Sequence, residues 1–257
     1  MKKFNKKSLG QNFLIDKNIS KKITKLVKIK DRNVIEIGPG KGALTDEIIK
    51  QKPKTLTLIE KDENLSRNLQ DKYKESKFIK NITADILDFN LEKLNYKKSI
   101  IIGNLPYNIS SQILVKILRF KKWPPNFENL IFMFQKELGE KILGIYPSVH
   151  YGRLSILSNY RLKFLSKFLV SKNCFFPKPK VTSMVILFKP INKKLYNIKD
   201  ILNLEKITNF FFKIKRKKKK KNLKKILKKK KVKKKLLKKV KNYQKNQEVE
   251  TNTKEKK

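Results

Sequence analysis

Four consecutive residues, Asn104-Leu105-Pro106-Tyr107, end a stretch whose apolar run is Ile100-Ile101-Ile102. Asn and Pro are poor strand formers, so packing alone does not explain why a strand would stop on them. An amide oxygen, a backbone carbonyl on a proline-stiffened turn and a flat phenol ring suit one kind of target, an exocyclic amine on a planar base. The lone pair of such an amine is delocalised into the ring, which makes it a poor nucleophile. Two acceptors that hold both of its N–H groups favour a pyramidal nitrogen, and the Asn104 side-chain oxygen and the Leu105 carbonyl can be those acceptors. Tyr107 can stack on the base, an interaction worth ~1–3 kcal/mol. The simpler reading is a helix-start turn, with Asn104 as cap and Tyr107 as packing.

A second group lies upstream. Glu36-Ile37-Gly38-Pro39-Gly40-Lys41-Gly42 follows an apolar strand pattern and opens a helical one. Glycines there let the backbone turn tightly and let a ligand approach the chain. The dinucleotide fingerprint is G-x-G-x-x-G, whereas the third glycine here comes one residue early. That spacing points to the loop of class I methyltransferases, against which S-adenosyl-L-methionine (SAM) lies. Glu60 ends the next strand and can accept both ribose hydroxyls of a nucleoside cofactor. Asp85, after the third strand, is placed to meet the adenine. Either acid alone reads more simply as a solvated carboxylate, but the three features in this order, each at a strand's carboxyl end, favour the cofactor. A sulfonium methyl is already a good electrophile, so positioning can suffice.

Composition fits chemistry without imidazole or metal. His150 is the only histidine and Cys174 the only cysteine among 257 residues, which disfavours Ser-His or Cys-His catalysis, cysteine-rich zinc sites and intrachain disulfides. No metal site is expected, and a reducing, cytoplasmic location is. The start, MKKFNKKSLGQNF, has no apolar segment after its lysines and is not read as a secretory signal. No apolar run approaches the roughly 20 residues of a membrane span. The formal charge of +45 implies a polyanionic partner, most simply nucleic acid. Drift towards A/T-rich codons could supply much of the lysine but not the scarcity of acids.

The elements that must position these residues alternate. Residues 17–30 have helical spacing at Ile19, Ile23, Leu26 and Val27. NVIEIG, TLTLIE, a weaker KFIKNITAD, SIIIGN and NLIFMFQ read as five strands, with helices after the first, second, fourth and fifth. YGRLSILSNY reads as helical and VTSMVILFK as a late strand. The fold class is therefore α/β, a mostly parallel Rossmann-like methyltransferase sheet covered on both faces. Composition shifts after Pro190, giving two expected domains: 1–190, binding the cofactor, and 191–257, small, lysine-rich and helical. Residues 213–241 read as basic amphipathic helix. Trp123 reads as loop packing, Cys174 as a small packing residue, His150 as a surface or loop residue, and Phe210, Phe211 and Phe212 as the core of the small domain.

At this point the chain resembles the KsgA/RsmA-type small-subunit ribosomal RNA adenine dimethyltransferases. The segments that carry the resemblance are SLGQNFLID (8–16), EIGPGKGALT (36–45), NLPYNIS (104–110), FQKELGEKIL (134–143), YGRLS (151–155) and FFPKPKVTSMV (175–185). The resemblance implies a seven-stranded sheet and a small helical C-terminal domain. It implies that Asn12 and Leu14 line the cofactor site with Gly38, Glu60, Asp85 and Asn104, and that Phe175 stacks the target base opposite Tyr107. It implies SAM-dependent dimethylation, at N6, of two adjacent adenosines in a hairpin loop near the 3′ end of small-subunit rRNA. A monomer acting on rRNA or the immature small subunit is expected. Lys41 departs from the usual apolar or small residue, and Lys178 replaces a proline. Two alternatives stand beside this reading: an Erm-type large-subunit rRNA methyltransferase, and a ribosome-assembly factor that no longer methylates.

Overall fold

The structure, a computed structural model, describes residues 12–94, 96–191 and 201–215. The chain divides into two compact units, Met1–Glu140 with Asn159–Asn192, and Lys141–Ser158 with Lys193–Lys257. The boundary expected after Pro190 is thus accompanied by an excursion: residues 141–158 leave the first unit and group with the C-terminal residues.

The first unit is built on a seven-stranded sheet. Its central strands β2 (Asn33–Ile37), β3 (Thr55–Glu60), β5 (Ser99–Asn104) and β6 (Phe127–Gln135), with edge strand β4 (Ile79–Thr83), are parallel. Strands buried on both faces read as continuous apolar runs, and Val34, Leu56, Leu58, Ile100 and Ile102 are fully buried. Burying each such side chain stabilises the fold by about 1.5–3 kcal/mol, so the strand ends that carry the site rest on rigid elements. Helices α1 (Lys17–Thr24), α2 (Ala43–Lys50), α3 (Glu63–Lys72) and α4 (Ser110–Leu118) alternate with the strands. Asp16 caps α1, accepting from the amides of Asn18 and Ile19 at 2.9 and 3.1 Å. Asp62 caps α3 in the same way. The α1 pattern runs to residue 30, but the helix stops at Thr24, and the remaining apolar residues turn towards β2 with Ile29 fully buried.

The strand order is β4-β3-β2-β5-β6-β9-β7. The chain builds outward from β2 through β3 to β4, then returns to start the other side with β5. The crevice at the carboxyl ends of β2 and β5 is therefore a topological switch point, where open α/β sheets bind ligands. Beyond β6 the sheet turns antiparallel: β9 (Ser183–Pro190) pairs with β6, and β7 (Leu162–Val170) pairs with β9. Strand β7 has no counterpart among the expected elements. Leu162, Leu165 and Leu169 are spaced as on a helix, and the ladder shifts register between Phe164 and Ser166, which breaks the period of two. A separate two-stranded pair joins β1 (Phe13–Leu14) to β8 (Phe175–Phe176), Phe13 opposite Phe176 and Leu14 opposite Phe175.

Trp123 packs as expected: its indole N–H donates to the Ile191 carbonyl at 3.0 Å, and the Arg161 guanidinium lies 4.5 Å from its ring. Buried Arg161 also donates to the carbonyls of Leu118 and Phe120, satisfying the C-terminus of α4. Cys174 is half-buried, and its thiol donates to Asp16 Oδ2 at 3.5 Å.

Helix α5 (Lys136–Leu143) follows β6, and α6 (Arg153–Arg161) leads into β7. The second unit holds α7 (Ile201–Lys215), which buries Ile201, Leu204, Glu205 and Thr208. Arg153 is ion-paired with Glu205 at 2.6 Å, and Tyr151 stands edge-on to both Tyr146 and Phe212. The expectation that Phe210–Phe212 form this unit's core is corrected. Phe210 is 44 % exposed and Phe211 and Phe212 are half-buried, because three consecutive residues on a helix span too wide an arc to share one buried face. The basic helices read over 213–241 lie, from residue 216 on, outside the described residues.

Candidate functional site

The carboxyl ends of β2, β3 and β5 open into a cavity lined among others by Asn12, Leu14, Gly38, Glu60, Asn104 and Tyr107. Gly38, Gly40 and Gly42 all take positive φ, at 67°, 59° and 85°, a region that costs any other residue strain. At Gly40 a side chain is doubly excluded, since a Cβ would meet the Phe13 ring at 3.0 Å. The ring thus lies flush on the glycine loop and closes one wall of the cavity. Gly103, inside β5, answers a different need: a Cβ there would meet the Ile37 carbonyl oxygen at 2.6 Å, so β5 can approach β2 closely only without one.

Two buried carboxylates face this space. Glu60 accepts from the Gly40 amide through Oε2 and from the Asp62 amide through Oε1, both at 3.0 Å. The Lys61 amide also donates to this carboxylate, whose two oxygens offer about four acceptor sites in all, so capacity remains for a further donor. Burial raises its pKa, against which the backbone donors act. Glu36 is 1 % exposed and accepts from the Thr45 hydroxyl at 2.7 Å. Burial pushes its pKa up to about 8, helped by the charges of Glu60 and Asp46 and opposed by the Thr45 bond. Asp46 in turn accepts from the Tyr73 hydroxyl at 2.7 Å and from Lys72 at 2.8 Å, and Tyr73 stands where a Gly42 side chain would be. The loop is held from behind by this group.

The Asn104 side-chain NH2 donates to the Asn12 backbone carbonyl at 3.0 Å. This fixes the amide's sense and offers Oδ1 as the acceptor at the cavity both residues line. Leu105 is buried, and Pro106 and Tyr107 are half-buried beside it. The Tyr107 hydroxyl and the Ser183 hydroxyl are 2.5 Å apart.

Two expected residues are placed differently. Asp85 is not among the residues that line the cavity. Its Oδ2 is ion-paired with Lys61 at 2.6 Å and its Oδ1 accepts from the Leu87 amide, and the lysine holds its pKa down. Phe175, expected to stack a base, is 3 % exposed and packs with Leu14 in the core; its neighbour Phe176 is 60 % exposed. Successive side chains in a strand point to opposite faces, so pairing β8 with β1 buries one ring and presents the other. A base cannot lie on Phe175 unless that ring moves.

Other residues at the site were given no role from the sequence. Phe13 sits inside the QNFL motif, and its proximity to Gly40 is tertiary. Lys41 also lines the cavity, its ammonium 4.9 Å from the Phe13 ring. Ser183 lies 76 positions from its tyrosine partner, and no local pattern marks it.

The residues fit an adenosyl cofactor. The cavity offers carboxylate acceptors from Glu36 and Glu60, apolar walls from Phe13, Leu14, Pro39 and Leu105, and backbone exposed by glycine, with Lys41 the sole basic residue lining it among the described residues. Among the described residues no cluster of His, Cys, Asp or Glu could hold a metal ion.

Comparison with known proteins agrees with this geometry. The family model for ribosomal RNA adenine dimethylase matches residues 2–256. A protein of Pelagibacter ubique (strain HTCC1062) called ribosomal RNA small subunit methyltransferase A is 42 % identical over 218 residues, 82 % of this chain and 80 % of its own length. One of the same name from Malacoplasma penetrans (strain HF-2) is 40 % identical over 220 residues, covering 84 % and 75 %. The crystal structure of the 23S rRNA methyltransferase ErmE superposes with a TM-score of 0.63 at 26 % identity, over 79 % of each chain. That of a dimethyladenosine transferase from Plasmodium falciparum gives 0.62 at 27 % identity, over 77 % of this chain and 66 % of that one. Sheet order, glycine loop and strand-end amide point the same way as a family model that runs nearly end to end, and the chain belongs to the ribosomal RNA adenine dimethylase family.

Proposed function

We propose that this protein transfers methyl groups from SAM to the N6 amines of two adjacent adenosines near the 3′ end of small-subunit rRNA, forming N6,N6-dimethyladenosines. The observation that carries the reading is the Asn104 amide, pinned by the Asn12 carbonyl so that its oxygen remains for an amine at the cavity beside Tyr107. Glu60 would hold the ribose hydroxyls. Gly38, Asn12 and Leu14 would pack against the rest of the cofactor, and Asp85 would reach the adenine once it exchanges its Lys61 partner. When bound, SAM supplies an electrophilic sulfonium methyl. What the chain adds is position: Asn104 Oδ1 and the Leu105 carbonyl orient the amine, and Tyr107 holds the base plane, so that nucleophile and methyl meet in line. The buried walls around Leu14 and Leu105 exclude water. No group of the chain needs to act as a strong base, because the amine sheds its proton only after alkylation.

A small-subunit substrate rather than the large-subunit one of ErmE is supported by the names of the relatives from Pelagibacter and Malacoplasma. Work on an immature small subunit, as a monomer in the cytoplasm, with the lysine-rich end gripping rRNA, completes the proposal. The test is to incubate unmethylated ribosomal subunits of both sizes with the protein and labelled SAM, then map modified adenosines by mass spectrometry. Paired dimethyladenosines in the small-subunit RNA are the expected outcome. Label confined to large-subunit RNA would move the chain to the ErmE activity, and no label in either would leave a binding factor.

A further inference from the structure

We propose that Ser183 is a positioning residue for methyl transfer: its buried hydroxyl, hydrogen-bonded to Tyr107, sets the direction of the ring against which the target base lies. This rests on the reading of Tyr107 as that platform.

Stacking alone does not call for a phenol, since a phenylalanine offers the same face. A half-buried phenol needs a partner for its hydroxyl, and here the partner is a fixed point. Ser183 opens β9 with no exposed surface, and it is paired on both sides, to Gln135 of β6 and Val170 of β7. The tyrosine sits instead on the short turn between β5 and α4, held at its backbone by the Ser110 hydroxyl at 3.2 Å and by the bond from the Ile109 amide to the Pro106 carbonyl. Without a tether at its far end, the ring is free to swing about χ1. The hydroxyl lies on the ring axis, so the 2.5 Å contact fixes where that axis points. A phenol O–H also prefers the ring plane, so the contact biases the plane as well. Burial raises the Tyr107 pKa, which keeps its proton available for the bond at neutral pH. Ser183 also ends the segment that begins at Phe175, so the hydrogen bond ties that segment to the turn that carries Asn104 and Tyr107.

The consequence should be greatest for the second methylation. A monomethylated amine is bulkier and presents a single N–H, so it tolerates less error in the base plane than the primary amine does. The experiment uses the full-length protein, SAM and unmethylated small ribosomal subunits under single-turnover conditions. It compares wild type with Ser183→Ala, Tyr107→Phe, the double variant and Tyr107→Ala, following rate, the ratio of monomethyl- to dimethyladenosine, SAM affinity and melting temperature. Ser183→Ala and Tyr107→Phe should each slow transfer by about threefold to tenfold, the effect of one hydrogen bond. Both should raise the monomethyl fraction, the double variant should be no worse than either, and SAM affinity should be unchanged. A purely structural serine would lower the melting temperature or the active fraction while leaving the product ratio alone. An unchanged ratio in Tyr107→Phe, which removes the same bond without disturbing the strand, overturns the proposal even if Ser183→Ala folds poorly; so do additive effects in the double variant. If Tyr107→Ala is itself as active as wild type, the platform reading fails along with it. If Tyr107→Ala is inactive and the other two variants are normal, only the role of Ser183 is lost.

Discussion

At the scale of single residues, the buried carboxyls carry the sharpest expectations. Glu36 titrates near 8 in the fold and near 4.5 in the unfolded chain. Below the lower value both states are protonated. Between the two values the unfolded chain ionises while the folded one keeps its proton, so stability falls as pH rises through that window, by up to ~1.4 kcal/mol per pH unit. Glu36→Gln removes this dependence and keeps an acceptor for Thr45. Its melting temperature relative to wild type should rise from pH 5 to pH 8, by about 2–4 °C for each kcal/mol; parallel curves would show that Glu36 is not held protonated. Asn104→Asp keeps the shape but cannot donate to the Asn12 carbonyl, and it places a negative charge at the amine. Single-turnover transfer should fall about a hundredfold, as when one oriented polar group is removed from an active site, and a near-normal rate would refute the orienting role. Glu60→Gln should weaken SAM binding by ~1.5–3 kcal/mol, because its NH2 would face at least one of the backbone amides from which the carboxylate accepts. Calorimetry on the folded variant decides this.

At the scale of elements, the β1–β8 pair holds the N-terminal motif in place. Phe13 lies on Gly40, Asn12 fixes the Asn104 amide, and the Ile15 amide donates to the Cys174 carbonyl at 2.9 Å. The glycine loop, the strand-end amide and the segment carrying Phe175 and Phe176 therefore share one short strand. Gly40→Ala would add a methyl 3.0 Å from the Phe13 ring at a φ of 59°, where an L side chain costs about 1–3 kcal/mol. The expected result is a tenfold or greater loss of SAM affinity together with faster hydrogen exchange at the Ile15 amide, as β1 lifts from β8. Unchanged exchange alongside reduced affinity would mean that the loop acts without the strand.

At the scale of the whole molecule, charge dominates. The net +45 is spread over the sequence but is densest after Lys213. If the lysine-rich end grips rRNA, affinity should fall with salt at a log–log slope of about −0.7 to −0.9 per phosphate neutralised. Removing residues after Lys215 should flatten that slope and weaken binding at low salt while leaving SAM affinity intact, since the residues proposed to hold the cofactor all precede Asn108. Equal slopes for the full and shortened chains would assign the lysines to composition rather than to contact.

The central sheet was legible because parallel strands buried on both faces are written as unbroken apolar runs, and the glycines and strand-end acids follow them at fixed offsets. NVIEIG, TLTLIE, SIIIGN and NLIFMFQ could be read one by one, and with them Gly38, Glu60 and Asn104 as neighbours at one edge. Edge elements were harder. β4 alternates weakly because it is half exposed, and β7 hides its strand period behind a bulge and leucines at helical spacing. Sequence by itself determined which residue types could hold a nucleoside and orient an amine, since chemistry of that kind is a property of side chains and their order. Tertiary structure alone decided which of them face the site. Pairing with Leu14 buries Phe175 and turns Phe176 outward, an ion pair draws Asp85 to Lys61, and Ser183 meets Tyr107 across 76 residues. Such pairings depend on which segments come to lie side by side, and no local pattern encodes that.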